Sequence, residues 1–397
     1  MLKNFPGLKG YKFAARSGAI KKSGKPDLAL VFSEVPARCA GVFTNNQVKA
    51  APLIVSAPRV HKGHCQAVLI NSGVANACTG EEGLKNALRC AEITGQALGI
   101  VEDLVVVSST GVIGRQLPME KLERHIPLLP EGLSSKHVEA VAEAILTTDS
   151  FTKISFRGPS DEEGYTILGI AKGAGMIHPD MATMLAFVLT DAEVESGFLN
   201  ETLQGAVNKS FNAISVDGDT STNDMVLLLA NGQSGGSEIR KDSKSAALFS
   251  RQMEEVCLDL AKMIVKDGEG ATKLVRIQVE GAESDDDARE VARCVATSSL
   301  VKTAFFGEDP NWGRIIAAVG YAKARIDSSR IDIHFNDSPV IRNGLAVGKE
   351  DLEAAAKIMK APEFAVNIQL RMGTGTAYYY TSDLTYEYVK INAEYHT

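Results

Sequence analysis

The chain is poor in the features that mark most specialised proteins. It holds one tryptophan in 397 residues and only 6% aromatic residues. That residue, Trp312, reads as packing rather than chemistry. Its six cysteines, Cys39, Cys65, Cys78, Cys90, Cys257 and Cys294, include no CxxC pair. In a chain of this size they read as reduced thiols of a cytoplasmic protein. No stretch approaches the roughly 20 apolar residues needed to span a bilayer. The start, Met1-Leu2-Lys3-Asn4-Phe5-Pro6-Gly7, has no apolar h-region, which speaks against a secretory signal. Positive charge is not in excess: net charge is −7 and the pI is near 5.6. That balance argues against nucleic acid or an anionic membrane surface as the main partner. There are no internal repeats and no low-complexity tracts.

What is present suits a soluble enzyme: 45% hydrophobic and 23% charged residues. The length allows two domains and a large core. Gln66–Ile70, Leu104–Val107, Thr166–Ile170 and Leu185–Leu189 read as strands. Val275–Val279 and Ile331–Phe335 alternate as half-buried strands do. Glu82–Leu98, Phe198–Phe211 and Ser245–Val265 have helical apolar spacing. Ser135–Leu146 reads as a helix with Ser135 as its N-cap. Gly232–Lys244 reads as a surface loop, and Asp285-Asp286-Asp287 as a solvated helix start. Strands and helices mixed in this way imply an α/β or α+β enzyme with layered sheets.

The most informative segment is Lys172-Gly173-Ala174-Gly175-Met176-Ile177-His178-Pro179-Asp180-Met181-Ala182-Thr183-Met184. A Gly- and Pro-containing turn ends in Ala182-Thr183 and runs straight into an apolar strand. Thr183 has a plain reading as a β-branched strand residue. It also has a chemical one. Attack of its hydroxyl on the Ala182 carbonyl is an N-to-O acyl shift, and hydrolysis of the ester cuts the chain. The freed α-amino group, with an intrinsic pKa of about 7.7–8.0, then serves as base for its own hydroxyl.

Other candidates carry paired readings too. Thr110-Gly111 follows an apolar strand and is either a simple turn or an oxyanion hole, with a hydroxyl and a Gly N–H aimed at one oxygen. Glu269 stands in Gly268-Glu269-Gly270, a polar turn; the Walker phosphate-loop pattern is absent there. Thr147-Thr148-Asp149-Ser150 reads as a polar turn ending a helix. Lys172 is a turn lysine, or a cation for a small amino acid's carboxylate. His61, His64 and Cys65 are too few for a metal site and read as a surface loop. Asp217, Asp219 and Asp224 lack the closing Glu of a calcium loop. His178 is either a base or a turn residue, the latter preferred. Asn392 and Thr397 lie in what would ordinarily be a frayed tail.

Several motifs together, in order along nearly the whole chain, resemble the self-cleaving ornithine acetyltransferase (glutamate N-acetyltransferase) family. They are Ile20-Lys21-Lys22-Ser23-Gly24-Lys25-Pro26-Asp27-Leu28-Ala29-Leu30, Gly41-Val42-Phe43-Thr44-Asn45-Asn46, Asn71-Ser72-Gly73, Ala75-Asn76-Ala77-Cys78-Thr79-Gly80 and Ser109-Thr110-Gly111-Val112-Ile113-Gly114. In the second half they are Val216-Asp217-Gly218-Asp219-Thr220-Ser221-Thr222-Asn223-Asp224, Asp267-Gly268-Glu269-Gly270-Ala271-Thr272-Lys273, Asp309-Pro310-Asn311-Trp312-Gly313-Arg314 and Ile391-Asn392-Ala393-Glu394-Tyr395-His396-Thr397. One position departs, Val74, where a polar Asn is expected.

The resemblance implies an N-terminal-nucleophile-like acyltransferase with a second C-terminal lobe. It implies cleavage between Ala182 and Thr183 into 1–182 and 183–397, two of each forming a heterotetramer. Thr183 is then the nucleophile, and Thr110 and Gly111 the oxyanion hole. Thr147 (or its neighbour Thr148), Lys172, Thr183, Glu269, Asn392 and Thr397 bind substrate. The implied reaction moves acetyl from N-acetylornithine to glutamate in the cytoplasm, with no cofactor and no metal. Acetyl-CoA as a further acetyl donor stays open. Two rivals also stay open: a hydrolase or aminopeptidase of related fold, and an unprocessed ligand-binding protein.

Overall fold

Residues 167–172, 185–190 and 225–230 are buried at every position. Such strands belong in the middle of a sheet whose two faces are both covered. A computed structural model describes residues 4–159, 164–178 and 184–394. Among them the strands are β1 (Tyr11–Arg16), β2 (Leu28–Phe43), β3 (His64–Val74), β4 (Val105–Val112), β5 (Lys153–Arg157), β6 (Ile167–Lys172), β7 (Leu185–Thr190), β8 (Ile214–Ser215), β9 (Met225–Ala230), β10 (Leu274–Ala282), β11 (Asp332–Phe335), β12 (Ser338–Arg342), β13 (Leu345–Ala346), β14 (Glu363–Gln369) and β15 (Gly375–Ser382). The helices are α1 (Ala51–His61), α2 (Gly80–Leu98), α3 (Met119–His125), α4 (Val138–Ala144), α5 (Ser196–Asn208), α6 (Ala246–Lys266), α7 (Asp285–Thr297), α8 (Ser299–Phe306), α9 (Trp312–Gly320), α10 (Lys349–Met359) and α11 (Tyr386–Glu394).

The first sheet runs β4-β3-β2-β9-β7-β6-β5, with β1 also on β2. Its middle strands alternate strictly. Ala186 and Val188 of β7, with Val226 and Leu228 of β9, face a core built on α5 and α6. Leu185, Phe187 and Leu189, with Leu227 and Leu229, face the opposite core, which includes Val138 and Val141 of α4. Gly169 in β6 lets α6 sit close, since a Cβ there would come within 2.6 Å of Leu260 Cδ1. The second sheet, β13-β12-β11-β14-β10-β15-β8, forms the C-terminal lobe with α7–α10. Helix α6 lies between the two sheets: its core also holds Ile214, Leu274 and Tyr380. This is the layered α/β architecture with a second lobe.

Two expectations need correction. The helix expected over Ser135–Leu146 spans only Val138–Ala144, and Ser135 caps nothing. Ser134 exchanges both backbone hydrogen bonds with Phe13, at 3.0 Å each, which holds the chain extended up to that point. The 147–150 turn therefore follows the helix rather than ending it. By contrast, Ser284 does cap the acidic start of α7, accepting the Asp287 N–H. Val74 is buried among apolar neighbours, so an apolar side chain fits that position. Trp312 packs on the second-lobe core. Cys65 is buried while His61 and His64 are exposed, so the three do not face one site. Among the described residues no helix is long and apolar enough to cross a membrane.

Candidate active site

One positive-φ glycine and one strand with a register shift shape the site. Strand β2 shifts register between Phe32 and Ala37. Its first part pairs with β1 and β3, and its last part with β9. The sheet thereby curls. Four strands lie between β4 and β6, yet Lys172 Nζ at the end of β6 is 3.4 Å from Thr110 Oγ1 on β4. Gly111 has φ 132°, and a Cβ there would lie 2.3 Å from the Gly73 carbonyl carbon. Only glycine fits, because the β3 backbone passes where a side chain would be.

A cleft of about 230 Å³ opens here. It is lined by Thr110, Gly111, Thr147, Thr148, Lys172, Glu269 and Asn392, with Asn223 and others. Six of the residues expected in the site, from four distant segments and the tail, thus meet. The seventh and eighth, Thr183 and Thr397, and the expected break after Ala182, lie outside the described residues.

The cleft has two poles. At one, Lys172 donates 2.7 Å to Thr147 Oγ1. Burial pushes the Lys172 ammonium down, while Asp149, 3.7 Å away, opposes that shift. Of the two adjacent threonines, it is Thr147 that bonds the lysine; Thr148 only lines the wall. At the other pole, Glu269 Oε2 accepts 2.9 Å from Asn392 Nδ2 on α11. The start of α11 is also anchored to the Glu269 turn: Thr385 Oγ1 donates to Gly270 O at 2.8 Å. The Glu269 carboxyl lies over Gly175, where a Cβ would be 2.5 Å from it.

Several supporting residues carried no distinct signal in the sequence. Asp149 is fully buried and takes the N–H groups of Thr147 at 3.0 Å and Gly173 at 2.6 Å. Burial alone would raise its pKa, but Lys172 and Lys153 outweigh that and hold the carboxyl well below the usual range. Lys21 donates 2.6 Å to Leu146 O, just before Thr147, and burial pushes its ammonium down to about 8. Asn223 donates to Ala75 O at 2.7 Å and Ser109 O at 2.8 Å, bracing the Thr110 strand. Lys21 and Asn223 sit inside quoted motifs, but nothing in their spacing shows which carbonyls they reach.

The loop from Asp217 to Asp224 holds both described flanks of the 179–183 segment. Asp217 accepts Met176 N–H at 2.6 Å and Ile177 N–H at 2.8 Å. Asp224, fully buried, accepts Met184 N–H at 2.9 Å, and burial pushes its carboxyl up. Both oxygens of Asp217 and one oxygen of Asp224 are thus taken up by backbone N–H groups. Among the described residues no cluster of three or more His, Cys, Asp or Glu is placed to hold a metal. His178 Nδ1 lies 3.3 Å from Ser215 Oγ.

A layered α/β fold whose cleft presents a buried cation at one end and a carboxylate at the other has the build of an enzyme site. The profile of the ArgJ family matches residues 12–397. Over 388 residues the chain is 62% identical to the arginine biosynthesis bifunctional protein ArgJ of Syntrophotalea carbinolica, covering 98% of this chain and 99% of the relative. Over 391 residues it is 50% identical to the protein of that name from Geobacter sulfurreducens, covering 98% and 100%. A crystal structure of arginine biosynthesis bifunctional protein argJ from Bacillus halodurans aligns with TM-score 0.51 and 42% identity, over 53% of this chain and 98% of that one. The chain belongs to the ArgJ family. It is an acyltransferase of arginine biosynthesis, as the motif resemblance implied.

Proposed function

We propose that this enzyme transfers the acetyl group of N-acetylornithine to glutamate through an acetyl ester on Thr183. The observation that carries the reading is the pairing of poles beside Thr110-Gly111. Lys172 with Thr147 suits an α-carboxylate. Glu269 with Asn392 suits an ammonium. In N-acetylornithine the α-nitrogen is acylated, so the free ammonium is the side-chain one.

In this mechanism the chain first cuts itself between Ala182 and Thr183. The new α-amino group takes the proton of the Thr183 hydroxyl, whose oxygen attacks the acetyl carbonyl. The Thr110 hydroxyl and Gly111 N–H stabilise the oxyanion; one such donor is worth about 2.7–4 kcal/mol of barrier. The α-amino nitrogen of ornithine leaves with the proton. Glutamate then attacks the acetyl ester and leaves as N-acetylglutamate, freeing Thr183. Two half-reactions through one covalent intermediate give ping-pong kinetics. Thr397 also contacts substrate in this reading.

The fold supports a cut chain that stays together. Strand β6 lies before the break and β7 after it, and they pair along their full length inside a buried sheet. The solved Bacillus halodurans chain matches 53% of this one over 98% of its own length, about the length that 183–397 would have. The products 1–182 and 183–397 form the α and β chains of a cytoplasmic heterotetramer. The name "bifunctional" on the relatives supports acetyl-CoA as a further donor to glutamate. No cofactor takes part.

Intact mass under denaturing conditions tests the reading. Two species that sum to the full chain plus one water, broken at 182–183, are expected. A single mass of 42.4 kDa in an active enzyme overturns the Thr183 mechanism.

A further inference from the structure

The two poles of the cleft are joined behind its wall. Lys153, on β5, is fully buried and donates 2.8 Å to Asp149 Oδ1 and 2.5 Å to Asp267 Oδ2. Asp149 belongs to the Lys172 pole: it takes the Thr147 and Gly173 N–H groups and lies 3.7 Å from Lys172 Nζ. Asp267 belongs to the other pole. It ends α6, two residues before Glu269, and its carboxylate accepts the Ser150 N–H at 3.0 Å and the Ser150 hydroxyl. None of these three charged residues lines the cleft.

A lysine between two carboxylates, all desolvated, holds only while the three stay in contact. Any gap leaves an uncompensated charge in a low-dielectric interior. The bridge therefore resists stretching more than a surface ion pair would. Its two ends are short tethers: Asp149 to Thr147 and Lys172, Asp267 to Glu269.

We propose that the Asp149–Lys153–Asp267 bridge is a specificity device, a buried spacer that sets the distance between Lys172 and Glu269 and so selects the carboxylate-to-ammonium length of the substrate. This rests on the reading that Lys172 takes the carboxylate and Glu269 the side-chain ammonium of an N-acetylated diamino acid. The bridge residues touch no substrate; they are positioning residues. The selected class is N-acetyl amino acids with the side-chain ammonium at one fixed reach, the ornithine length, against the homologue one methylene longer.

The test compares kcat/KM for N-acetylornithine and N-acetyllysine in the full wild-type enzyme, Asp267→Asn and Ser150→Ala. One methylene in a fitted site is worth on the order of 10- to 200-fold in kcat/KM. Asp267→Asn keeps the shape, but with its amide oxygen on Ser150 its NH2 faces Lys153, so that end of the bridge loses both its acceptor and its charge. It is expected to lower the wild-type preference for the shorter substrate by about tenfold, mainly through KM. Ser150→Ala, at an exposed position, should shift the ratio the same way by less, and it decides the matter if Asp267→Asn fails to fold. A purely structural role would lower both substrates equally. An unchanged ratio in both variants, in an active wild-type background, overturns the spacer. A wild-type enzyme that does not turn over N-acetylornithine overturns the transferase reading instead, and the spacer with it.

Discussion

Lys172 Nζ and Thr110 Oγ1 lie 3.4 Å apart although four strands of the same sheet separate them. One charged and one hydroxyl side chain therefore belong to a single site only because the sheet curls at β2. This contact places the candidate oxyanion residue within reach of the proposed carboxylate-binding cation, so the two proposed roles share one hydrogen-bond network.

That network makes the two neighbouring threonines unequal. Thr147→Val removes the acceptor of Lys172, a hydrogen bond to a charged group worth about 1.5–3 kcal/mol. It should lower kcat/KM by on the order of 10- to 100-fold, mostly as a rise in KM. Thr148→Val should change kcat/KM only a few-fold. Steady-state kinetics of the pair checks this; equal losses would sink the assignment of Thr147.

Maturation should depend on the two aspartates that hold the flanks of the 179–183 segment. Asp224→Asn keeps an oxygen for the Met184 N–H and should still yield two chains. Asp224→Ala should slow cleavage by on the order of tenfold to a hundredfold, since small misplacements at a reacting centre cost that much. Thr183→Ala should stay whole and inactive. Time-resolved intact mass after expression reads all three. A processed Thr183→Ala chain would refute the nucleophile.

Gly111→Ala should give a poorly folded and inactive protein. With φ 132° and 2.3 Å to the Gly73 carbonyl carbon, the added methyl forces β3 and β4 apart. Overpacking of this kind costs about 1–3 kcal/mol, and the positive φ adds strain. Thermal melts compared with Gly114→Ala, which has open space for a Cβ at a similarly positive φ, separate the steric part from the backbone part.

The contribution of Lys302 to stability should grow from pH 7 towards pH 10. Burial pushes its ammonium from 10.5 down to about 7, while Asp383 and Asp217 oppose the shift. It donates to Thr381 Oγ1 at 3.0 Å and to Ser382. Between these two values the unfolded chain holds the proton and the folded chain does not, so stability grows with pH across that window. One group contributes at most about 1.4 kcal/mol per pH unit. Lys302→Met should make the slope of Tm against pH between pH 7.5 and pH 9.5 less positive than in the wild type, whatever it does to Tm itself. An unchanged slope would show that Lys302 stays charged.

Much of the fold was legible. Leu185–Leu189 and Thr166–Ile170 are strands because uninterrupted apolar residues between turn signals can only be buried strands or helices, and these are short. The acidic start at Asp285 was legible because capping is local. Ser135 misled because its conformation is set by a backbone pairing with Phe13, far away in sequence. The residues expected in the cleft came from motif resemblance, and the structure brings six of them together. Asp149 and Asp267 stand in segments singled out above and Lys153 does not, but nothing in the sequence joins the three, because a charged residue looks solvated until its burial is known.

By itself the sequence determined the family, the most apolar strands, the longest helices and the residue types offered to the site. Those depend on local periodicity, turn chemistry and the order of motifs, all written along one dimension. Tertiary structure alone decided that Thr147 rather than Thr148 meets Lys172, that Asn392 bonds the Glu269 carboxylate, and that a buried lysine joins the two poles. Those follow from the curl of the first sheet and from desolvation. Both are properties of how distant segments exclude water together, and no short stretch of sequence contains them.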